Sequence, residues 1–442
     1  MKTRTVSWRQ PAAITTQPLL FRKERPNKAP VAIALFLAGF AAIECVAQNA
    51  YLQHNLVSDL AGMADHTDTN LVNPWGIAFS ATSPFWISDN HSGLSTLYNS
   101  SGTPQALIVS IPPPAGGTPP AAPTGMIFNN TTNFNVTPGN PARFIFSTED
   151  GTISAWNAGA SAVLKVDNST NSAIYKGLAI GSSGGTNYLY ATDFHNGKVD
   201  VFDGNFAPAL AGSFVDLTIP AKYAPFGIQN IGGLIYVSYA LQDDAGEDDV
   251  AGPGHGYVNV FNAAGQLVER FASQDVLDSP WGLALAPSGF GAFSGNLLIG
   301  NFGNGRINAF NPVTKVWMGA VLDTNSAPLV VQGLWGLAFG NGSSGGDAHT
   351  LYFTAGIPGP GAIEDHGLFG SLSPVFPAFT SISNTVSGLG LTWAGGTGPF
   401  QLLLKTNLTD AAWTALLTTT NHNATVSPGA PSGYFRLLNE GD

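Results

Sequence analysis

The stretch Ser88–Tyr98, "SDNHSGLSTLY", is a polar turn running into a short alternating strand, and the chain writes it again several times. It returns as "STEDGTISAW" from Ser147, "TDFHNGKVDVF" from Thr192, "IGNFGNGRINAF" from Ile299 and, lengthened by an insertion, "EDHGLFGSL" from Glu364. A second element precedes each copy: "NPWGIAF" at Asn73, "APTGMIF" at Ala122, "IYKGLAI" at Ile174, "APFGIQN" at Ala224, "SPWGLAL" at Ser279 and "GLWGLAF" at Gly333. The shared glycines are Gly76, Gly125, Gly177, Gly227, Gly282 and Gly336, so the period lies near 50 residues. Six copies at that period are the signature of a repeat architecture.

Within each copy, short β-branched and aromatic runs alternate with Gly, Asn and Asp, the pattern of strands joined by hairpin turns. Four runs per copy predict a four-stranded antiparallel sheet. Six such sheets set radially predict a six-bladed β-propeller. The sixth copy runs out after "GLFGSLSP", whereas "YLQHNLVSD" from Tyr51 is a strand without a copy of its own. It is expected to close the ring as the outer strand of blade six. From about Pro377 five short runs separated by Gly, Pro, Asn and Asp predict a small immunoglobulin- or fibronectin-like β-sandwich module. The expected organisation is therefore a leader over 1–47, an all-β propeller over 48–374 and the sandwich module over 375–442.

Composition agrees with a folded chain: of 442 residues, 44% are hydrophobic and 10% charged, and Gly 53 and Pro 30 supply turns. Residues Pro30–Val46 form an apolar run behind a basic segment, the order of a secretory signal, with cleavage expected between Ala47 and Gln48. The run is short for a membrane span. Removing 1–47 leaves 10 Lys and Arg against 26 Asp and Glu, a net charge of −16, so nucleic acid is excluded as a partner. The one cysteine, Cys45, goes with the leader, which excludes disulfides and Cys-type zinc sites from the exported chain.

The wording of "NLVSDLAGMADHTDTNLVNPWGIAFSATSPFWISDN", "GNFGNGRINAF" and "GLWGLAFGNG" resembles a family of secreted bacterial proteins with NHL-type propeller repeats, over about residues 52–372. That family brings no established activity. The tail resembles a sandwich-like module on other exported bacterial proteins. More distant six-bladed relatives implied by the resemblance are metal-dependent lactonases and lyases of the virginiamycin-inactivating type. The lactonases place a metal-binding Glu where this chain reads Asn73-Pro74-Trp75-Gly76.

Three groups of residues bear chemistry on the face where the repeated turns gather. His91, His195, His255 and His366 fall in those turns and could serve metal-assisted lyase or hydrolase chemistry, although their registers differ. Trp75, Trp281 and Trp335, with Phe226 at the same repeat position, offer an aromatic surface for a ligand, or else pack between blades. The same position holds Thr124 and Lys176 in the other two copies. The loop from Gln242 to Gly256 gathers Asp243, Asp244, Glu247, Asp248 and Asp249, which repel one another unless solvated or holding a hard cation such as Ca2+. The turn acids Asp89, Glu149, Asp150 and Asp193 are expected to cap backbone N–H groups. The functional expectation is a secreted propeller that binds a small molecule, glycan or protein partner at its mouth.

Overall fold

The computed structural model describes residues 6–9, 50–360, 362–394, 399–407, 409–427 and 432–439. Among these the structure is all-β, apart from two single-turn 3-10 segments. It falls into two compact units, one of residues Asn49–Val375 and one combining Met1–Gln48 with Phe376–Asp442.

Besides a two-stranded hairpin of Asn135–Thr137 and Asn140–Pro141, the larger unit holds six sheets in chain order, antiparallel except where Val57 and Ser58 pair parallel with His66 and Thr67 in the last. Each begins with one of the glycine-bearing strands: Pro74–Ala78, Pro123–Phe128, Tyr175–Ser183, Tyr223–Ile231, Pro280–Leu285 and Leu334–Phe339. The repeated glycine explains how these first strands meet. A Cβ on Gly76 would lie 2.5 Å from the Thr124 carbonyl oxygen, and one on Gly125 would lie 2.4 Å from the Leu178 nitrogen. On Gly177, Gly227 and Gly282 it would meet the carbonyl oxygens of Phe226, Trp281 and Trp335 at 2.9, 2.1 and 2.5 Å. On Gly336 it would lie 2.7 Å from Trp75 O, back in the first sheet. Each first strand thus touches the next backbone too closely for any side chain, and the sixth touches the first.

Hydroxyls on the second strands fasten the same junctions. Thr192 Oγ1 takes the Gly177 N–H at 2.7 Å and donates to Phe226 O at 2.7 Å. Thr354 Oγ1 takes the Gly336 N–H at 2.8 Å and donates to Trp75 O at 2.5 Å. Apolar clusters fill the spaces between neighbouring sheets, as where Ile145, Ile153 and Tyr175 meet Leu178 and Leu189.

Tyr51–Ser58 pairs antiparallel with His366–Pro374 from Tyr51↔Pro374 to Ser58↔Leu368, so the last sheet contains a strand from the beginning of the unit. Tyr51 is buried there, donating its hydroxyl to Phe290 O at 2.7 Å. The third sheet departs from expectation with three strands rather than four. After Lys198–Asp203 the chain meets Pro208 and Pro220, which lack the N–H a ladder needs, and only the isolated bridge Phe202↔Pro208 forms.

In the smaller unit Ala378–Thr385, Gly388–Ala394 and Asn423–Val426 form one sheet. Thr414–Thr419, Phe400–Lys405, Ser432–Asn439 and Val6–Arg9 form the other. Leu391 and Trp393 of the first sheet share a core with Phe400, Leu402 and Phe435 of the second. Val6–Arg9, within the segment expected to be a leader, pairs antiparallel with Ser432–Phe435. The apolar run Pro30–Val46 and the expected cleavage site at Ala47 and Gln48 lie outside the described residues. Among the described residues no helix is long and apolar enough to cross a membrane.

Candidate functional site

The starts of four of the six first strands, with Phe194 and Phe302 from the turns, gather an aromatic layer. Trp75 and Trp335 stack with centroids 3.5 Å apart, Phe302 stacks on Trp335 at 4.0 Å, and Trp281 meets both tryptophans edge-on. Phe194 and Phe226 complete the cluster. Trp75, Phe226 and Trp335 are buried, so their ring faces are spent on one another, while Trp281 keeps part of its surface exposed. A cavity of about 330 Å³ is lined by Trp281 and by the first strands of the six sheets from their glycines onward. Among its lining residues Gln229 and Asn130 are exposed and Asn230 is half-buried.

Above the aromatic layer lies a polar network centred on Lys176. Its side chain is 2% exposed, an unusual burial for lysine, and Nζ pairs with Glu149 and, at 3.3 Å, with Asp248. The ammonium also stands 5.3 Å from the ring centroid of Trp75 and 5.7 Å from that of Phe194. Burial works against its charge, but the carboxylates of Glu149 and Asp248 outweigh it and the pKa is raised. Burial likewise pushes the Glu149 carboxyl up, and Lys176 pulls it further down, leaving it below its ordinary value.

From Glu149 the network runs to Asn90, whose Nδ2 donates to Oε2 at 2.8 Å, and from Asn90 to Asn73 at 3.4 Å. Asn73 Nδ2 donates to Glu364 Oε1 at 3.0 Å, and Asn73 Oδ1 accepts from Trp335 Nε1 at 3.2 Å. Trp281 Nε1 reaches Lys176 O at 3.3 Å. Side chains from all six repeats are therefore joined: Asn73 and Asn90, Glu149, Lys176, Asp248, Trp281, and Glu364 with Trp335. Asn73 at φ 48°, Ser279 at φ 47° and Glu364 at φ 77° hold left-handed backbones here, conformations that cost energy for residues with a side chain.

Two carboxyls of this region lack a cation. Burial first, and the charge of Glu149 second, raise the Glu364 pKa to about 7. Burial raises Asp249 to about 6 against the opposing influence of Ser279 and Lys176, and Asp249 Oδ2 is buried with no hydrogen-bond partner.

The four turn histidines do not converge on one point. His91 Nε2 stands 3.4 Å from Asn73 Nδ2 at the edge of the network. His195 Nδ1 is buried without a partner, His255 Nδ1 faces Val250 O at 2.7 Å, and His366 Nδ1 faces Asp59 Oδ2 at 2.6 Å. The acidic loop is dispersed as well. Asp243 accepts the Glu247 N–H at 2.9 Å, Asp244 pairs with Lys222 at 2.7 Å, and Asp248 turns to Lys176. Among the described residues no three His, Cys, Asp or Glu side chains are placed to hold a metal ion. Gly-x-Ser-x-Gly occurs at Gly181–Gly185 and Gly342–Gly346, but each leads into a strand rather than the helix of a nucleophile elbow.

Of the turn acids, Asp89, Asp150 and Asp193 receive the N–H groups of Thr96, Ala122 and Ile174 at 3.0, 2.8 and 3.2 Å. Glu149 differs from them in holding Lys176 and Asn90 by side-chain contacts. It and Glu364 are the residues that sequence reasoning missed. The available signal was Lys176 itself, a cation at a repeat position otherwise filled by Trp, Phe and Thr, which needs a buried carboxylate nearby.

No protein-family model matches the chain. Among solved structures it is similar to virginiamycin B lyase from Staphylococcus aureus, at 14% identity and a TM-score of 0.41 over 73% of this chain and 98% of that one. It is also similar to a glucose dehydrogenase, at 13% identity and a TM-score of 0.44 over 72% and 98%. The motif resemblance is to bacterial proteins, whereas the curated relatives matched are viral. "Uncharacterized protein L690" of Acanthamoeba polyphaga mimivirus is 35% identical over 296 residues, 64% of this chain and 77% of the relative. "Uncharacterized protein R648" of the same virus is 34% identical over 315 residues, 68% of this chain and 76% of the relative, and the chain belongs to the family of that protein.

Proposed function

We propose that the larger unit is a six-bladed β-propeller closed by Tyr51–Ser58, that the smaller unit is an accessory β-sandwich, and that the propeller is a binding module. Its ligand or protein partner docks on the polar network above Trp75 and Trp335. The observation that carries this reading is the continuous set of contacts from Asp248 through Lys176, Glu149, Asn90 and Asn73 to Glu364. A buried ion pair and left-handed residues are a costly way to fill a strand junction, and such arrangements gather where a surface must be pre-organised. The scattered histidines give the metal-assisted alternative no comparable support.

A thermal-shift screen tests the proposal with small anionic, neutral and cationic fragments on the wild-type protein and on the Lys176→Met/Glu149→Gln double variant. Fragments that raise the wild-type Tm should lose their effect on the double variant, because ligands stabilise only the folds that bind them. Equal shifts on both proteins would place binding elsewhere and overturn the reading.

A further inference from the structure

The network carries more carboxyl groups than cations. Lys176 Nζ is engaged by Glu149 and Asp248. Glu364 accepts a neutral amide hydrogen bond from Asn73, and Asp249 Oδ2 is buried with no partner. Both carboxyls thus lie within electrostatic reach of Lys176 and Asp248, and neither has an ion pair of its own. Such a group is expensive to bury unless something completes it.

Lys176 also shows what this surface accepts. Its ammonium lies near two aromatic rings and against two carboxylates, an arrangement suited to an organic cation, and here part of the chain itself occupies it. We infer that the mouth takes a ligand bearing a primary ammonium or guanidinium group, with Glu364 as its principal ion-pair partner and Asp249 as a second carboxylate acting on the charge. The inference rests on the mouth being the binding site. A planar guanidinium would add a fork of donors matched to Glu364, and an ammonium would supply a point charge. Metal ions are a poorer fit, since no three acidic or histidine side chains among the described residues converge.

Cation binding should also release protons. Near pH 6.5 Glu364, with its pKa raised to about 7, is partly protonated, and a cation beside it favours the ionised form.

The test is isothermal titration at pH 6.5 with butylammonium, butylguanidinium, butanol and butyrate, repeated in two buffers of different ionisation enthalpy. The two cations should bind and the other two probes should not. The apparent enthalpy should change between buffers by the protons released. Glu364→Gln, which preserves shape, should weaken binding about tenfold and abolish the proton release, a loss of about 1.4 kcal/mol. Asp249→Asn should weaken it less. Cations that fail to bind, or that bind equally well to both variants, would overturn the inference. If neutral or anionic fragments still bind in a way that depends on Lys176 and Glu149, the cation inference alone has failed. If no fragment does, the mouth reading has failed with it.

Discussion

Lys176 and Glu149 show how a single side chain sets the terms for its neighbours. Removing the ammonium by Lys176→Met would leave Glu149 half-buried and uncompensated, which should cost about 3–5 kcal/mol. Removing both charges in Lys176→Met/Glu149→Gln should restore much of that stability, as urea denaturation of these two variants and of Glu149→Gln alone would show. An additive loss in the double variant would mean that the pair makes no interaction. Glu364 works in the opposite direction. Its folded pKa of about 7 exceeds the ordinary 4.5, so between those values the folded state binds more protons than the unfolded one. Stability contributed by this residue therefore falls as pH rises from about 4.5 through about 7, with the full cost present above that. Glu364→Gln should flatten the pH profile of Tm across that window. A variant profile parallel to the wild type would contradict the assigned burial.

At the scale of the element, the decisive feature is the junction between neighbouring first strands. Replacing Thr354 with Val keeps the shape but strands the Gly336 N–H and the Trp75 carbonyl without their shared hydroxyl. That should cost about 1–3 kcal/mol, read from the midpoint of denaturant unfolding at unchanged m-value. A loss no larger than that of an exposed substitution such as Thr103→Val would show that the latch is idle. These junctions also explain what the sequence could reveal. The glycines were legible as a repeat because each answers the same steric demand, the approach of the next backbone. The pairing position of Tyr51–Ser58 was legible from an unpaired run at one end and a short copy at the other. The missing fourth strand of the third sheet was not, because the run after Asp203 has apolar residues enough for a strand and fails on its prolines. The tryptophans were legible as a set, but burial depends on how six rings from different sheets meet, which no single copy of the repeat records.

At the scale of the whole molecule, the site exists because the chain returns to its beginning. Asn73 and Glu364 are 291 residues apart in sequence and 3.0 Å apart in the network. This is why the site was mostly illegible in the sequence: Glu149 looked like one more turn acid, and Glu364 lay in a copy of the turn altered by an insertion. Glu149 meets Lys176 only when the second and third sheets pack, and Glu364 joins them only when the first and last sheets touch. The same meeting also accounts for the close approach of Gly336 to Trp75 O and for the hydroxyl of Thr354 reaching across. The most direct measurement of the account is a double-mutant cycle on Asn73→Ala and Glu364→Ala, with stability followed by urea unfolding at pH 8, where Glu364 is ionised. Residues in contact couple by about 0.5–3 kcal/mol, while distant ones add independently. A coupling of about 1 kcal/mol or more is predicted; strict additivity, with both single variants folded, would mean that the ends of the repeat array do not build one site.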